Sequence, residues 1–122
     1  MISSKKTMVL GASTNPNRYS NIAVHKLNRY GHPVIPIGLR KGTINGITIQ
    51  QGTPTIDAVD TITLYLNPVR QKPHYDYILS LQPKRIIFNP GTENPELMRL
   101  AHEKGIEVEI ACTLVLLSMG NY

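Results

Sequence analysis

The stretch Met8-Val9-Leu10-Gly11-Ala12-Ser13-Thr14-Asn15-Pro16-Asn17-Arg18-Tyr19-Ser20-Asn21 constrains the fold more than any other part of the chain. An apolar run enters a small polar turn containing one glycine, then residues suited to begin a helix. In α/β proteins such a junction sets loop N–H groups and the positive end of a helix dipole against an anion. The loop therefore reads as a phosphate cradle, and the diphosphate of a nucleotide-type ligand fits it.

Strands and helices alternate along the rest of the chain. Lys6–Leu10 reads as the first strand, stopped at Gly11. Ser20 or Asn21 can cap a helix whose apolar positions include Ile22, Ala23, Leu27 and Tyr30, with Gly31 as its stop. Residues 33–38 give a second strand whose prolines favour a strand end. Asn45-Gly46 between Thr43-Ile44 and Ile47-Thr48-Ile49 is a hairpin signal, a small excursion from the main sheet. Thr61–Leu66 forms the third strand, and a helix opened by Pro68 is predicted to run to about Leu81. Arg85–Phe88 is strand four, a helix covers about Asn94–Lys104, and Ile106–Ile110 is strand five. Cys112–Met119 forms a closing helix. The expected fold is α/β, a Rossmann-like three-layer sandwich with a mainly parallel five-stranded sheet and a hairpin after strand two. At 122 residues, one domain is expected.

Ligands in open α/β sheets bind beyond the carboxyl ends of the strands. The loops that matter are therefore 11–20, 38–41, 66–68 and 89–92. With Gly11 as its only glycine, the first loop is not G-x-G-x-x-G, and no G-K-[ST] follows to make a P-loop. The end of strand two is Gly38-Leu39-Arg40-Lys41, where an NAD site carries a carboxylate for the ribose hydroxyls. Arg40 or Lys41 suits a ribose phosphate instead, which favours NADP or coenzyme A. Formal charge of +5 raises the question of nucleic acid, but the cations are scattered and one Phe and no Trp leave little for base stacking.

The motifs Val9-Leu10-Gly11-Ala12-Ser13 and Asn15-Pro16-x-Arg18-x-Ser20 resemble those of the small stand-alone CoA-binding proteins. That family is similar to the nucleotide-binding domain of the succinyl-CoA synthetase α subunit. The resemblance continues through Gly31–Ile37, the hairpin, Asn94-x-Glu96, Gly105-Ile106-x-Val108 and Cys112, and so covers nearly the whole chain. It implies a Rossmann-like fold that binds coenzyme A or an acyl-CoA, without demonstrated catalysis. By position, Gly11, Ala12 and Ser13 would meet the diphosphate, with Asn15, Arg18 and Ser20 nearby. Arg40 or Lys41 would take the ribose 3′-phosphate. Leu66-Asn67 and Asn89-Pro90-Gly91 would line the path of the adenine or the pantetheine arm. Two features depart from the family. Phe88-Asn89-Pro90-Gly91 replaces a Leu-Gln-x-Gly type sequence, and Thr113-Leu114-Val115-Leu116-Leu117 is apolar where the family turns polar.

The remaining reactive residues read as structural. His25, His32, His74 and His102 share no metal spacing, Asp57 and Asp60 end a turn before strand three, and Cys112 reads as a small buried side chain. No nucleophile, base and orienting group can be assembled. Non-catalytic binding is thus the leading expectation. The alternatives are an NADP-type enzyme or sensor, and a homo-oligomeric interaction protein joined through Thr113–Met119 with a vestigial cradle. Thr113–Met119 is the longest strongly apolar run, too short to cross a bilayer, and Met1–Lys6 lacks signal-peptide character. The lone cysteine suits the cytoplasm.

Overall fold

Every residue of the first strand, β1 (Thr7–Leu10), is buried, because strands and helices surround it on all sides. The computed structural model describes residues 4–122, so Met1–Ser3, the start of the segment read as lacking a signal, lie outside the described residues. In chain order the further strands are β2 (Val34–Ile37), β3 (Thr43–Ile44), β4 (Ile47–Thr48), β5 (Thr61–Leu64), β6 (Arg85–Phe88) and β7 (Glu107–Ile110). The main sheet runs β2-β1-β5-β6-β7 with every pair parallel, and β3 and β4 form a separate antiparallel hairpin. The two-residue hairpin turn has Asn45 and Gly46 at φ 53° and 77°, as the Asn-Gly signal predicts. The sheet is the Rossmann-like α/β arrangement expected. Its order reverses beside β1, which opens a crevice at the carboxyl ends of β1 and β5.

The helices are α1 (Tyr19–Arg29), α2 (Pro68–Gln71), α3 (Tyr75–Ser80), α4 (Pro95–Glu103) and α5 (Thr113–Ser118). The period-two alternation of β1 feeds two cores. Met8 and Leu10 join Ile62, Leu64, Ile86 and Phe88 beneath Ile78 of α3 and Leu97 and Ala101 of α4. Val9 faces Val24 and Leu27 of α1 and Leu117 of α5. Each fully buried aliphatic or aromatic side chain contributes about 1.5–3 kcal/mol, so both faces are needed to hold four-residue strands. α5 places Thr113 and Leu117 inward and leaves Val115 exposed, and Met119 just beyond it is exposed too. Among the described residues, no helix is long and apolar enough to cross a membrane.

Two boundaries differ from the sequence prediction. Helix α1 starts at Tyr19 rather than Ile22, with Arg18 at the N-cap and no side-chain cap bond. Ser20 and Asn21, expected as caps, lie in the first turn, and the Asn21 amide donates instead to the Ser13 carbonyl at 2.9 Å. The helix expected from Pro68 to Leu81 is broken into α2, a 3₁₀ turn at Lys72–His74, and α3. Pro73 lies inside that span, where it has no N–H to donate and its ring obstructs the preceding turn.

At the opposite edge of the sheet, Tyr122 covers the strand N-termini. Its hydroxyl shares a 2.5 Å hydrogen bond with Thr7 Oγ1, and the Arg85 guanidinium lies 4.4 Å from its ring centroid. The neighbouring His32 ring, 4.8 Å away between centroids, accepts the Lys5 backbone N–H through Nδ1 at 2.9 Å. Burial, then the charges of Lys5 and Arg85, hold His32 below its ordinary pKa against the pull of Asp60. As pH falls below about 6.5 the unfolded chain takes up a proton that the folded imidazole refuses, so stability is lost as pH falls toward the folded pKa. His32→Asn retains an acceptor without a titrating ring. The melting temperature of the wild type should therefore fall more steeply than the variant's between about pH 7 and about pH 5.5. Parallel slopes in a calorimetric pH series would remove His32 as the source.

Candidate functional site

The crevice beside β1 is a cleft of about 720 Å³, within the range of small-molecule sites. Five segments enclose it: Gly11–Asn15 after β1, Arg18–Ser20 at the head of α1, Leu39-Arg40 after β2, Tyr65–Asn67 with Arg70 after β5, and Pro90–Thr92 after β6.

Missing side chains set how closely these segments approach. Gly11 has φ +101°, and a Cβ there would lie 2.9 Å from the Tyr65 carbonyl oxygen and 3.1 Å from Leu66 Cδ2. A Cβ on Gly38 would collide with the Ala12 carbonyl oxygen. The N–H groups of Gly11 and Ala12 both donate to the Ile37 carbonyl, at 2.9 and 2.8 Å, which ties the cradle to β2. Asn15 N–H donates to Ser13 Oγ and Asn17 N–H to Asn15 Oδ1, so Ser13 and Asn15 shape the turn from within.

What remains unpaired is donor-rich. Among the described residues, the N–H groups of Ser13, Thr14, Tyr19 and Ser20 donate to no protein acceptor. Ser20, 4% exposed, lines the cleft beside them. Arg18, Arg40 and Arg70 also line the cleft, and no Asp or Glu does. The described ion pairs, Arg85–Glu109 and Arg99–Glu103, lie elsewhere. Donors without acceptors and cations without carboxylates are features that suit an anion.

Eleven of the residues singled out from sequence meet in the lining: Gly11, Ala12, Ser13, Asn15, Arg18, Ser20, Arg40, Leu66, Asn67, Pro90 and Gly91. Asn67 also caps α2, its Oδ1 accepting the Arg70 N–H at 2.9 Å. Lys41 and Asn89 are not in the lining. Lys41 is exposed one residue beyond Arg40, at the approach to the hairpin. Asn89 is 2% exposed and its amide is fully used. Nδ2 donates to Thr63 Oγ1 and the Leu64 carbonyl, and Oδ1 accepts the Thr113 N–H at the head of α5. It ties three elements together beneath the cleft rather than facing into it.

Sequence reasoning did not single out Thr14, Tyr19, Leu39, Tyr65, Arg70 or Thr92 as site residues, although they line the cleft. Tyr65 was hidden because strand three was extended to Leu66, whereas β5 ends at Leu64 and releases Tyr65 into the loop. Its hydroxyl is buried beside Thr63 and Thr113, and that burial pushes the phenol well above its ordinary pKa. Arg70 was legible in principle: Asn67 as N-cap with Pro68 at the first helical position starts a turn there, and Arg70 follows within it.

A second buried network steadies the far wall. Gln71 Nε2 donates to the Leu66 and Thr92 carbonyls at 2.7 and 2.8 Å, and its Oε1 accepts from Asn94 Nδ2 at 2.9 Å. Asn94 in turn caps α4 by accepting the Leu97 N–H. Among the described residues, no group of His, Cys, Asp and Glu could hold a metal ion.

The model of a family described as CoA binding domain matches residues 5–118. The chain belongs to that family. Among solved structures, one titled as an uncharacterized protein superposes on this CoA binding domain with a TM-score of 0.97 at 52% identity, covering 99% of this chain and 100% of that one. A hypothetical protein from Pyrococcus horikoshii OT3 gives a TM-score of 0.85 at 23% identity, covering 95% and 83%. A dinucleotide forming acetyl-coenzyme A synthetase 1 from Ca. Korarchaeum cryptofilum, in complex with phosphate and ADP, gives 0.69 at 21% identity, covering 86% of this chain and 25% of that one. These two likenesses are of fold. No curated protein matches the sequence.

Two substitutions test how the cleft is built. Asn89→Ala strands the Thr113 N–H and the Leu64 carbonyl in a buried setting and should cost about 2–4 kcal/mol by denaturant unfolding. Lys41→Ala should leave stability within about 0.5 kcal/mol. An Asn89→Ala protein as stable as the wild type would mean that its hydrogen bonds are replaced on relaxation.

Proposed function

We propose that the cleft binds coenzyme A or an acyl-CoA through the loop between β1 and α1, and that it binds the ligand without transforming it. The observation that carries this reading is the set of N–H groups at Ser13, Thr14, Tyr19 and Ser20 that find no acceptor among the described residues, gathered in the cleft at the N-terminus of α1. Together they suit the oxygens of a diphosphate. Membership of the CoA binding domain family supports coenzyme A over other nucleotides. Arg40, at the end of β2 where dinucleotide sites place ribose contacts, suits the ribose 3′-phosphate. The pantetheine arm then follows the sheet toward Leu66 and Pro90. The described lining holds hydroxyls but no His, Asp, Glu or Lys beside them to act as a base, which favours binding over general acid–base or nucleophilic chemistry.

A thermal-shift titration with CoA, acetyl-CoA, dephospho-CoA, NADP and NAD tests the reading, since a ligand bound only by the folded state raises the melting temperature. CoA should stabilise by about 2.7 kcal/mol at a concentration of about a hundred times its Kd, and dephospho-CoA less at the same concentration. Arg40→Ala should erase the difference between those two ligands. Ser20→Ala should weaken both about equally. No shift with any CoA species would overturn the proposal, and preference for NADP over CoA would replace it with a nicotinamide-nucleotide site.

A further inference from the structure

We infer that Gln71 is a positioning residue for the arm end of the cleft, setting the gap between the loops after β5 and β6 that the pantetheine arm must fit. The inference rests on the reading of the cleft as a coenzyme A site. The backbone ladder between β5 and β6 ends at Leu64 and Phe88, so no strand pairing spaces the chain beyond those residues. Leu66 and Thr92 both lie past that point, and both line the cleft. The fully buried Gln71, last residue of α2, supplies the missing link. Its Nε2 donates to the Leu66 carbonyl at 2.7 Å and to the Thr92 carbonyl at 2.8 Å. Both bonds leave one trigonal nitrogen, so the two oxygens are held about one strand spacing, about 4.8 Å, apart. One side-chain amide thus carries the spacing of the sheet into the wall of the cleft.

The orientation of that amide is dictated from outside the cleft. The Leu97 N–H can only donate, and it donates to Asn94 Oδ1. Asn94 therefore turns Nδ2 toward Gln71 Oε1, 2.9 Å away, and toward the Tyr75 hydroxyl at 2.8 Å. With Oε1 engaged there, Gln71 presents both of its N–H bonds to the carbonyls. A reversed amide would set Oε1 against two carbonyl oxygens with no donor between them. The cradle does not share this support. Its fixed points are the close approaches at Gly11 and Gly38 and the Ile37 carbonyl, none of which involves Gln71 or Asn94. The phosphate end and the arm end of the cleft are held by separate contacts, so substitution can separate them.

Isothermal titration with CoA and with adenosine 3′-phosphate 5′-diphosphate, which is CoA without its arm, tests this. The wild type should bind CoA the more tightly. Gln71→Met keeps a long unbranched side chain and removes its donors. It should weaken CoA by about tenfold and leave the armless nucleotide within about twofold. Asn94→Asp keeps an oxygen for the Leu97 N–H, so α4 stays capped, and removes the donor that orients Gln71. It should shift the two ligands in the same sense, and it carries the test if Gln71→Met does not fold. Equal loss of both ligands in the folded variants would overturn the inference, because a merely structural role does not distinguish them. Unchanged CoA affinity in the folded variants, or a wild type that binds the two ligands equally, would also overturn it and leave the CoA site standing. Failure of the wild type to bind either ligand would instead remove the reading on which the inference rests.

Discussion

The cleft depends on backbone meeting backbone at two points where a methyl group would not fit. Gly11 lets the cradle lie against the Tyr65 carbonyl, and Gly38 lets the end of β2 lie against the Ala12 carbonyl. These contacts draw three consecutive strand ends together, so the loop after β1 is gripped from both sides. The Ile37 carbonyl reinforces the grip by accepting two successive N–H groups. A loop held this way presents its remaining donors in a fixed direction. Much of the ordering cost of an anion site is then met during folding rather than on binding.

The far wall is rigid for a different reason. Gln71, Asn89 and Asn94 are buried primary amides whose hydrogen bonds run to carbonyls, N–H groups and hydroxyls of neighbouring elements. In a low-dielectric setting an amide satisfied this fully fixes its surroundings, because any shift strands a polar atom. The loops after β5 and β6 are therefore linked to one another and to α5. The sheet face behind them is accordingly polar at Thr63 and Asn89, where one core would otherwise be apolar throughout.

Period and punctuation made the strands legible. β6 has the expected bounds, the Asn45-Gly46 hairpin forms with its two-residue turn, and Asn94-Pro95 opens α4. The parallel sheet followed from alternation alone, and most cradle residues followed from the rule that ligands gather at strand carboxyl ends. Three features resisted. The start of α1 depends on a tertiary bond from Asn21 to Ser13 that no local pattern shows. The break at Pro73 stands in the sequence, but a helix opened by Pro68 and ended only near Leu81 passes over it. Asn89 has the composition of a turn residue and of a ligand contact alike, and only the burial of its amide distinguishes these from its work inside the fold.

The two edges of the sheet are unlike. At β2, Pro36 has no N–H to offer, and its carbonyl is already taken by the Gln50 N–H at 2.9 Å. Gln50 N–H and carbonyl groups bridge β2 on the side away from β1, so an incoming strand finds both polar groups engaged. β7 has no such cover, with Glu107 and Ile110 exposed along it. Recruitment of a further strand is thus confined to one side of the molecule, the side away from Arg40. Lengthening the sheet there would leave the cradle's surroundings undisturbed.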